Sequence, residues 1–266
     1  MNAISAVITH RELLWNLAAR ELKLRYRGSA LGFLWSVLIP LFMALIYVIF
    51  LRILGGRGVP LADIIIGVFA WQYTVQCVNA GLSSITGSAN LVKKVAFPRI
   101  ILPLSATLAN TITYAMSLIV QFPLVAILFH TTGQHFNPWI ALLPIVMVVH
   151  IMFNLALALF LAGINVIIRD AQHLVGILLS AWFFVSPVMY NMDFVIAHVG
   201  DHPWAPKLFL LNPLTVIINA YRSVITADVP FQWELASYVS LALIGAFFAF
   251  SYWLFKRLQK DFADLL

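Results

Sequence analysis

Phe69, Gln72, Gln76, Asn79, Ser83 and Thr86 recur at alternating intervals of three and four residues, the spacing that puts side chains on one face of a helix. At about 1.5 Å per residue that face is about 25 Å long. Amides and hydroxyls can exchange hydrogen bonds with carbohydrate hydroxyls. Aromatic rings can stack on the apolar faces of pyranoses and still let a sugar chain slide. Phe33, Tyr47, Phe69, Gln72, Tyr73, Gln76 and Asn79 are the candidates to line such a path. Comparable stripes are Ser29, Phe33, Ser36, Pro40, Met43 and Tyr47; Thr107, Asn110, Tyr114, Ser117 and Gln121; and His150, Asn154 and Asn165. Every stripe has a second reading, interhelical hydrogen bonds worth about 1 kcal/mol each. That reading is preferred for the last two stripes and stands level with a channel face for the first two.

Cations offer a second chemistry. In NLVKKVAFPRIILP, Lys93, Lys94 and Arg99 surround a Phe97-Pro98 break between a short helix and the next apolar run. Together with Arg25 and Arg27 they could form a gate that holds a lipid pyrophosphate arriving from the inner leaflet, because charge-assisted bonds to phosphate are strong. Simple anchoring by positive charge is the equal alternative.

Other chemistries lack their residues. The seven histidines show no H-E-x-x-H or other metal spacing, and His150, the only one deep in an apolar run, reads as a hydrogen-bonded packing residue. Cys77 is the only cysteine, so there is no disulfide framework. No G-x-x-x-x-G-K-[ST] occurs, and any use of ATP requires a partner that binds it. Asp63, Asp170, Asp193 and Glu234 fall at the ends of apolar runs or in loops, which argues against ion-coupled transport.

These residues sit in a membrane. From Ile100 to Ile168 the chain runs 69 residues without Asp, Glu, Lys or Arg. Across 266 residues it is 62% hydrophobic and only 10% charged, with a mean hydropathy of +0.96, against about 25% charged in an ordinary globular domain. A span needs about 20 apolar residues, so the long run must be cut, and HTTGQHFNPW at His130 to Trp139 supplies the turn. Six spanning helices are expected, at 31–54, 62–84, 103–129, 139–168, 172–190 and 235–256. Twelve cations (Arg11, Arg20, Lys23, Arg25, Arg27, Lys93, Lys94, Arg99, Arg169, Lys256, Arg257 and Lys260) then lie on one side and four (Arg52, Arg57, Lys207 and Arg222) on the other. The positive-inside rule makes both termini cytoplasmic. The net charge of +6 is explained by topology and anionic lipid, with no call on a nucleic-acid partner.

Residues 1–27 read as an amphipathic interface helix rather than a signal peptide. Ser5, Thr9, Glu12, Asn16, Arg20, Lys23 and Arg27 form its polar stripe, opposite Ile4, Val7, Ile8, Leu14, Trp15, Ala18 and Leu22. Its role is either an anchor or a docking surface for a cytoplasmic partner. On the far side, 191–234 is too long for a turn and too apolar for a free loop. It reads as two short re-entrant helices, with Asn212 as N-cap, Pro213 at the first helical position, and Tyr221 and Arg222 at the interfacial end. Irregular backbone at membrane depth must be covered by protein or line a cavity, which sets this segment over a pore mouth.

RELKLRYRGSALGFLWSVLIPL at Arg20 to Leu41, NLVKKVAFPRIILPL at Asn90 to Leu104, NVIIRDAQHLV at Asn165 to Val175, SPVMY at Ser186 to Tyr190 and NPLTVIINAYRSVI at Asn212 to Ile225 resemble the membrane subunit of ABC-2 type polysaccharide exporters, which move O-antigen, capsule and teichoic acid chains. The resemblance runs in order from about residue 12 to 256. It implies a single transmembrane domain over 1–266, with 1–30 as interface helix, 31–256 as the six-helix membrane part and 257–266 as a cytoplasmic tail. It further implies a homodimer around a central channel and two copies of a separate cytoplasmic ATPase that binds ATP and magnesium, leaving this chain with no cofactor. The substrate would be an undecaprenyl-pyrophosphate-linked polysaccharide, O-antigen first, with capsule or teichoic acid as alternatives. By similarity, Glu12, Asn16, Arg20, Arg169 and Asp170 fall near the ATPase contact. Arg25, Arg27, Lys93, Lys94, Phe97 and Arg99 belong to the cytoplasmic gate, and Asn212, Pro213, Tyr221 and Arg222 to the periplasmic gate. The implied location is the bacterial inner membrane.

Rival readings lack support in the residues. A drug or lipid exporter of the same superfamily would prefer an aliphatic cavity to Gln72, Gln76 and Asn79. An intramembrane enzyme would need a catalytic acid, histidine or serine set within the spans, and a passive channel would need no ATPase.

Overall fold

The computed structural model describes residues 8–55, 59–199, 202, 204–227, 229–231 and 234–266, and the side chains of these apart from 51–55, 198 and 199. The expectations placed on Ile4, Ser5, Val7 and Arg57, and on the side chain of Arg52, lie outside them. Among the described residues the chain is helical: α1 (Arg11–Tyr26), α2 (Trp35–Gly55), α3 (Leu61–Ser83), α4 (Ala89–Lys94), α5 (Ile101–Thr132), α6 (Leu143–Ile167), α7 (Ala171–Val185), α8 (Met192–Val199), α9 (Ala205–Leu211), α10 (Pro213–Ile225), α11 (Leu235–Leu258) and α12 (Phe262–Leu265).

The helix ends follow local chemistry. The long apolar run is cut where expected: α5 stops at Thr132 and Gly133 takes the left-handed conformation at φ 74°. Asn137 then accepts from the Trp139 amide beside Pro138, which starts a 3₁₀ turn leading into α6. Asn212 is extended and accepts from the Leu214 amide, with Pro213 at the first position of α10, so the predicted cap is present.

The hub of the bundle is α3, with 78% of its most apolar stretch buried against 22–39% for the other long helices. It packs on α2, α5, α6 and α10, and α6 packs in turn on α11. Small residues set these crossings. A Cβ on Gly81 would come within 2.6 Å of both Cα and Cβ of Ala158, and one on Gly163 within 3.1 Å of Leu258. Close backbone approach is a main source of helix association where lipid supplies no hydrophobic contrast. A second core seals the end that carries the termini, where Phe255 and Phe262 meet edge to face at 5.5 Å among Ile85, Val92, Leu102, Leu159 and Val166.

Four expectations change. Helix α2 begins at Trp35 rather than 31, after a 3₁₀ turn at Gly32–Leu34. The fifth span shrinks from 172–190 to the 15 residues of α7, about 22 Å long and short of the roughly 30 Å of hydrocarbon. Pro187 is the cause, because it forces Ser186 to an extended ψ of 141°. Among the described residues five helices are thus long and apolar enough to cross, and α9 with α10 makes a sixth only as a pair bent by 91°. Segment 191–234 holds three helices instead of two, because Asn212-Pro213 splits the second apolar patch. The tail at 257–266 is not free, since the chain turns after α11 and buries Phe262 under the bundle.

Gly81→Val should lower the thermal transition of the detergent-solubilised protein, by an overpacking cost of about 1–3 kcal/mol. The clash is with backbone and Cβ of Ala158, which no rotamer change relieves, and an unshifted melting curve would refute this packing.

Candidate functional site

The polar stripes of the first three spans converge. Ser36 and Pro40 of α2, Phe69, Gln72, Tyr73 and Gln76 of α3, and Thr113, Tyr114 and Ser117 of α5 line one groove with only about 10 Å³ of free space. That is about room for one water. Gln72 and Gln76 are half-buried in it and Asn79, one turn along, is exposed. Arg25 reaches over from the end of α1, donating to Gln76 Oε1 at 3.2 Å and Asn110 Oδ1 at 2.6 Å. Asn110 is fully buried and also donates to the Ala106 carbonyl at 2.8 Å, so one amide positions a cation at the groove.

The aromatic candidates do not form one track. Phe69 and Tyr73 are buried behind the amide face. Tyr73 stacks on Tyr114 at 4.6 Å and 3°, and shares a 2.7 Å hydrogen bond with Thr111. Phe33 meets Tyr26 edge to face at 6.1 Å near α1, while Tyr47 leans on Phe183 of α7 at 5.2 Å. Gln72, Gln76 and Asn79 present the accessible part of this face, beside Phe69 and Tyr73, which line the groove and are buried. Their ring bodies fill the space between α3 and α5.

The other stripes are mostly internal. Thr107, Thr113 and Ser117 bond back to carbonyls of their own helix α5. His150 lies between Thr74 Oγ1 at 2.8 Å and the Tyr221 hydroxyl at 3.3 Å, the packing role its position suggested. Asn165 donates to the Leu82 carbonyl at 2.8 Å and ties α6 to the end of α3.

At the end carrying the termini, Glu12, Asn16, Arg20 and Arg27 are exposed along α1 and beyond it, Lys93 and Lys94 at the end of α4, and Arg169 and Asp170 in the turn between α6 and α7. Arg99 is set apart from this cationic rim because its guanidinium donates to the Gln259 carbonyl. Phe97 packs against the lower core.

The far end holds the largest departure. Tyr221 and Arg222, expected at the interfacial end, are both fully buried within the protein. Arg222 donates from Nε at 3.0 Å and Nη2 at 2.9 Å to the Asp63 carbonyl, from Nη2 to the Val188 carbonyl at 3.0 Å, and from Nη1 to the Tyr190 carbonyl at 2.7 Å. Gly67 makes room for this, since a Cβ there would lie 2.4 Å from the Val188 carbonyl oxygen and 2.7 Å from Nη2. Beside it, Asn212 accepts from Trp182 Nε1 at 3.0 Å and donates to Ser186 Oγ at 2.9 Å, joining α7 to the start of α10. Asp63, Val188 and Tyr190 were not foreseen as partners. The available signal was Arg222 itself, one cation in an apolar stretch that had to find acceptors.

Residues 12–226 match the family model described as ABC-2 type transporter. An O-antigen export system permease protein from Myxococcus xanthus is 32% identical over 258 residues, covering 96% of this chain and 95% of that protein. Two O-antigen export system permease proteins from Klebsiella pneumoniae are 26% and 24% identical, again over 96% of this chain and 95% of theirs.

Arg222→Lys and Arg222→Gln should both destabilise the protein by about 3–5 kcal/mol. Lysine keeps the charge but, as a compact point donor, cannot span three carbonyl groups. Thermal denaturation in detergent measures this, and a wild-type curve for Arg222→Lys would show that charge alone suffices.

Proposed function

The chain belongs to the ABC-2 type transporter family, and on that premise we propose that it is the membrane subunit of an ATP-driven exporter of polysaccharide, O-antigen first. Two copies form the channel, and each docks a cytoplasmic ATPase that binds ATP and magnesium, leaving this chain as a transport subunit and not an enzyme. Both termini are cytoplasmic and the membrane is the bacterial inner membrane. The cargo is a glycan on undecaprenyl pyrophosphate.

The observation that carries this reading is the amide face of α3. Gln72, Gln76 and Asn79 remain accessible in a helix that otherwise buries its surface, and the groove beside them is too small to be a conduit. Such a face suits one wall of a path completed by a second copy. Amides then trade hydrogen bonds with successive sugar hydroxyls, and no single site binds tightly enough to stall the chain.

Arg25 is the cation best placed at the start of that path, since its two amide partners hold it at the groove. Lys93 and Lys94 extend positive charge along the gate helix α4 and attract the pyrophosphate. Exposed Glu12, Asn16 and Arg20 on α1 and the Arg169-Asp170 turn make the ATPase contact, so nucleotide-driven movement reaches α5 through α1 and α3 through Arg25.

Deleting the gene should remove long-chain polysaccharide from the cell surface and leave it on its lipid carrier inside; unchanged surface glycan in a strain with no second exporter would overturn the proposal. Complementation with Gln72→Leu, Gln76→Leu and Asn79→Leu together should give assembled complex without export, and full export would remove α3 from the path. Lys93→Gln with Lys94→Gln should slow export at least tenfold with ATPase assembly intact. Arg99 is kept in that variant because it holds the Gln259 carbonyl.

A further inference from the structure

A much larger cavity than the groove at the amide face lies elsewhere among the described residues. It opens at the far end between α6, α10 and α11, with a volume of about 650 Å³. Val216, Ile217, Ala220 and Val224 of α10 form one wall, Ile145, Val146 and Val149 of α6 the other, and Leu241 of α11 closes the side. Val216 and Ile217 are buried, whereas Ile145 and Trp139 are exposed at the rim, so the groove is deep at α10 and open toward the lipid side of α6.

Its outer end has a fixed roof. Phe136 and Thr226 form an antiparallel bridge. The Asn137 amide donates to the Ile225 carbonyl at 3.0 Å, and the Ala227 amide to the His135 carbonyl at 3.1 Å. Asn137 Nδ2 adds a 2.6 Å bond to the Ser223 carbonyl. From Val216 to Val224 the α10 wall runs about 12 Å, close to the roughly 15 Å depth of one leaflet.

From this we infer that the groove is a binding site for a phospholipid of the leaflet at that end, with one acyl chain lying between α6 and α10. A linear hydrocarbon matches the apolar lining, the one-leaflet depth and the lateral opening into the bilayer. Among the described lining residues the polar groups are neutral. Asn137 and Ser223 are the polar lining residues, and the exposed indole N–H of Trp139 can donate to an ester carbonyl at the interface. Among the described lining residues there is no cation, so they offer a pyrophosphate no partner. The occupant is an ordinary phospholipid and not the carrier lipid of the cargo, so this inference is independent of the proposed function. The opposite face of α10 carries Tyr221 and Arg222, and the bound chain supports the wall they stand on.

The test uses the full-length protein, with its ATPase if the two copurify, washed in mild detergent after extraction from phosphatidylethanolamine-rich membrane. Native mass spectrometry should show one phospholipid retained per chain. Ala220→Phe, which fills the groove, should reduce retention about tenfold or more, with Ala227→Leu at the mouth as a second variant in case the first fails to assemble. In nanodiscs with brominated acyl chains, the wild type should lose more tryptophan fluorescence than Trp139→Phe does. Retention of a polyprenyl lipid instead, no retained lipid, or retention unchanged by filling the groove would each overturn the assignment.

Discussion

The fold depends on what a membrane demands of a buried charge. A guanidinium buried away from water is tolerated only if other groups replace its water, and Arg222 obtains that replacement from the carbonyls of Asp63, Val188 and Tyr190. Those carbonyls belong to the first turn of α3 and to the irregular segment after α7. One side chain therefore fixes the far end of the hub helix, the short helix beside it and the bent pair α9 and α10. Gly67 is part of the same solution, since any side chain there would occupy the place of the guanidinium. The irregular backbone from Ser186 to Asn191 is stable at this depth because its carbonyls have a donor.

The opposite end is organised by different means. There the helices are held by aliphatic and aromatic contacts around Phe255 and Phe262, with Asn165 and Arg99 tying chain segments together through backbone carbonyls. Cations crowd the surface of this end, and among them Arg25 bonds to the side-chain amides of Gln76 and Asn110. The far end is thus tied by directional hydrogen bonds and the base mainly by apolar contacts, and dispersion contacts can slide past one another where a three-carbonyl clamp cannot.

Helix positions, the cut at Gly133 and the cap at Asn212 were legible in the sequence, because apolar length, turn residues and proline act locally. So was the segregation of cations, which composition alone determines. The true length of α7 was harder: SPVMY is apolar enough to extend a span by hydropathy, and only the restriction that Pro187 puts on Ser186 ends it. Burial was least legible. Periodicity put Phe69 on the same side of α3 as Gln72 and Gln76 but could not tell how much of each side chain stays accessible, and in the packed helix the rings of Phe69 and Tyr73 are buried while the amides remain half-buried. The partners of Arg222 were not legible because hydropathy assigns a cation to the nearest water, whereas the carbonyls that reach it come from positions 32 to 159 residues earlier in the chain.

The groove beside the amide face closes to about the volume of one water molecule, and this bears on the energy supply of the cell. A single chain inserted in the bilayer presents no aqueous thread there along which protons or sodium could run. On the proposed reading of a channel between two copies, a chain waiting for its second copy leaves the transmembrane ion gradients undischarged. Permeability becomes a property of assembly, and the membrane stays an insulator while the parts accumulate.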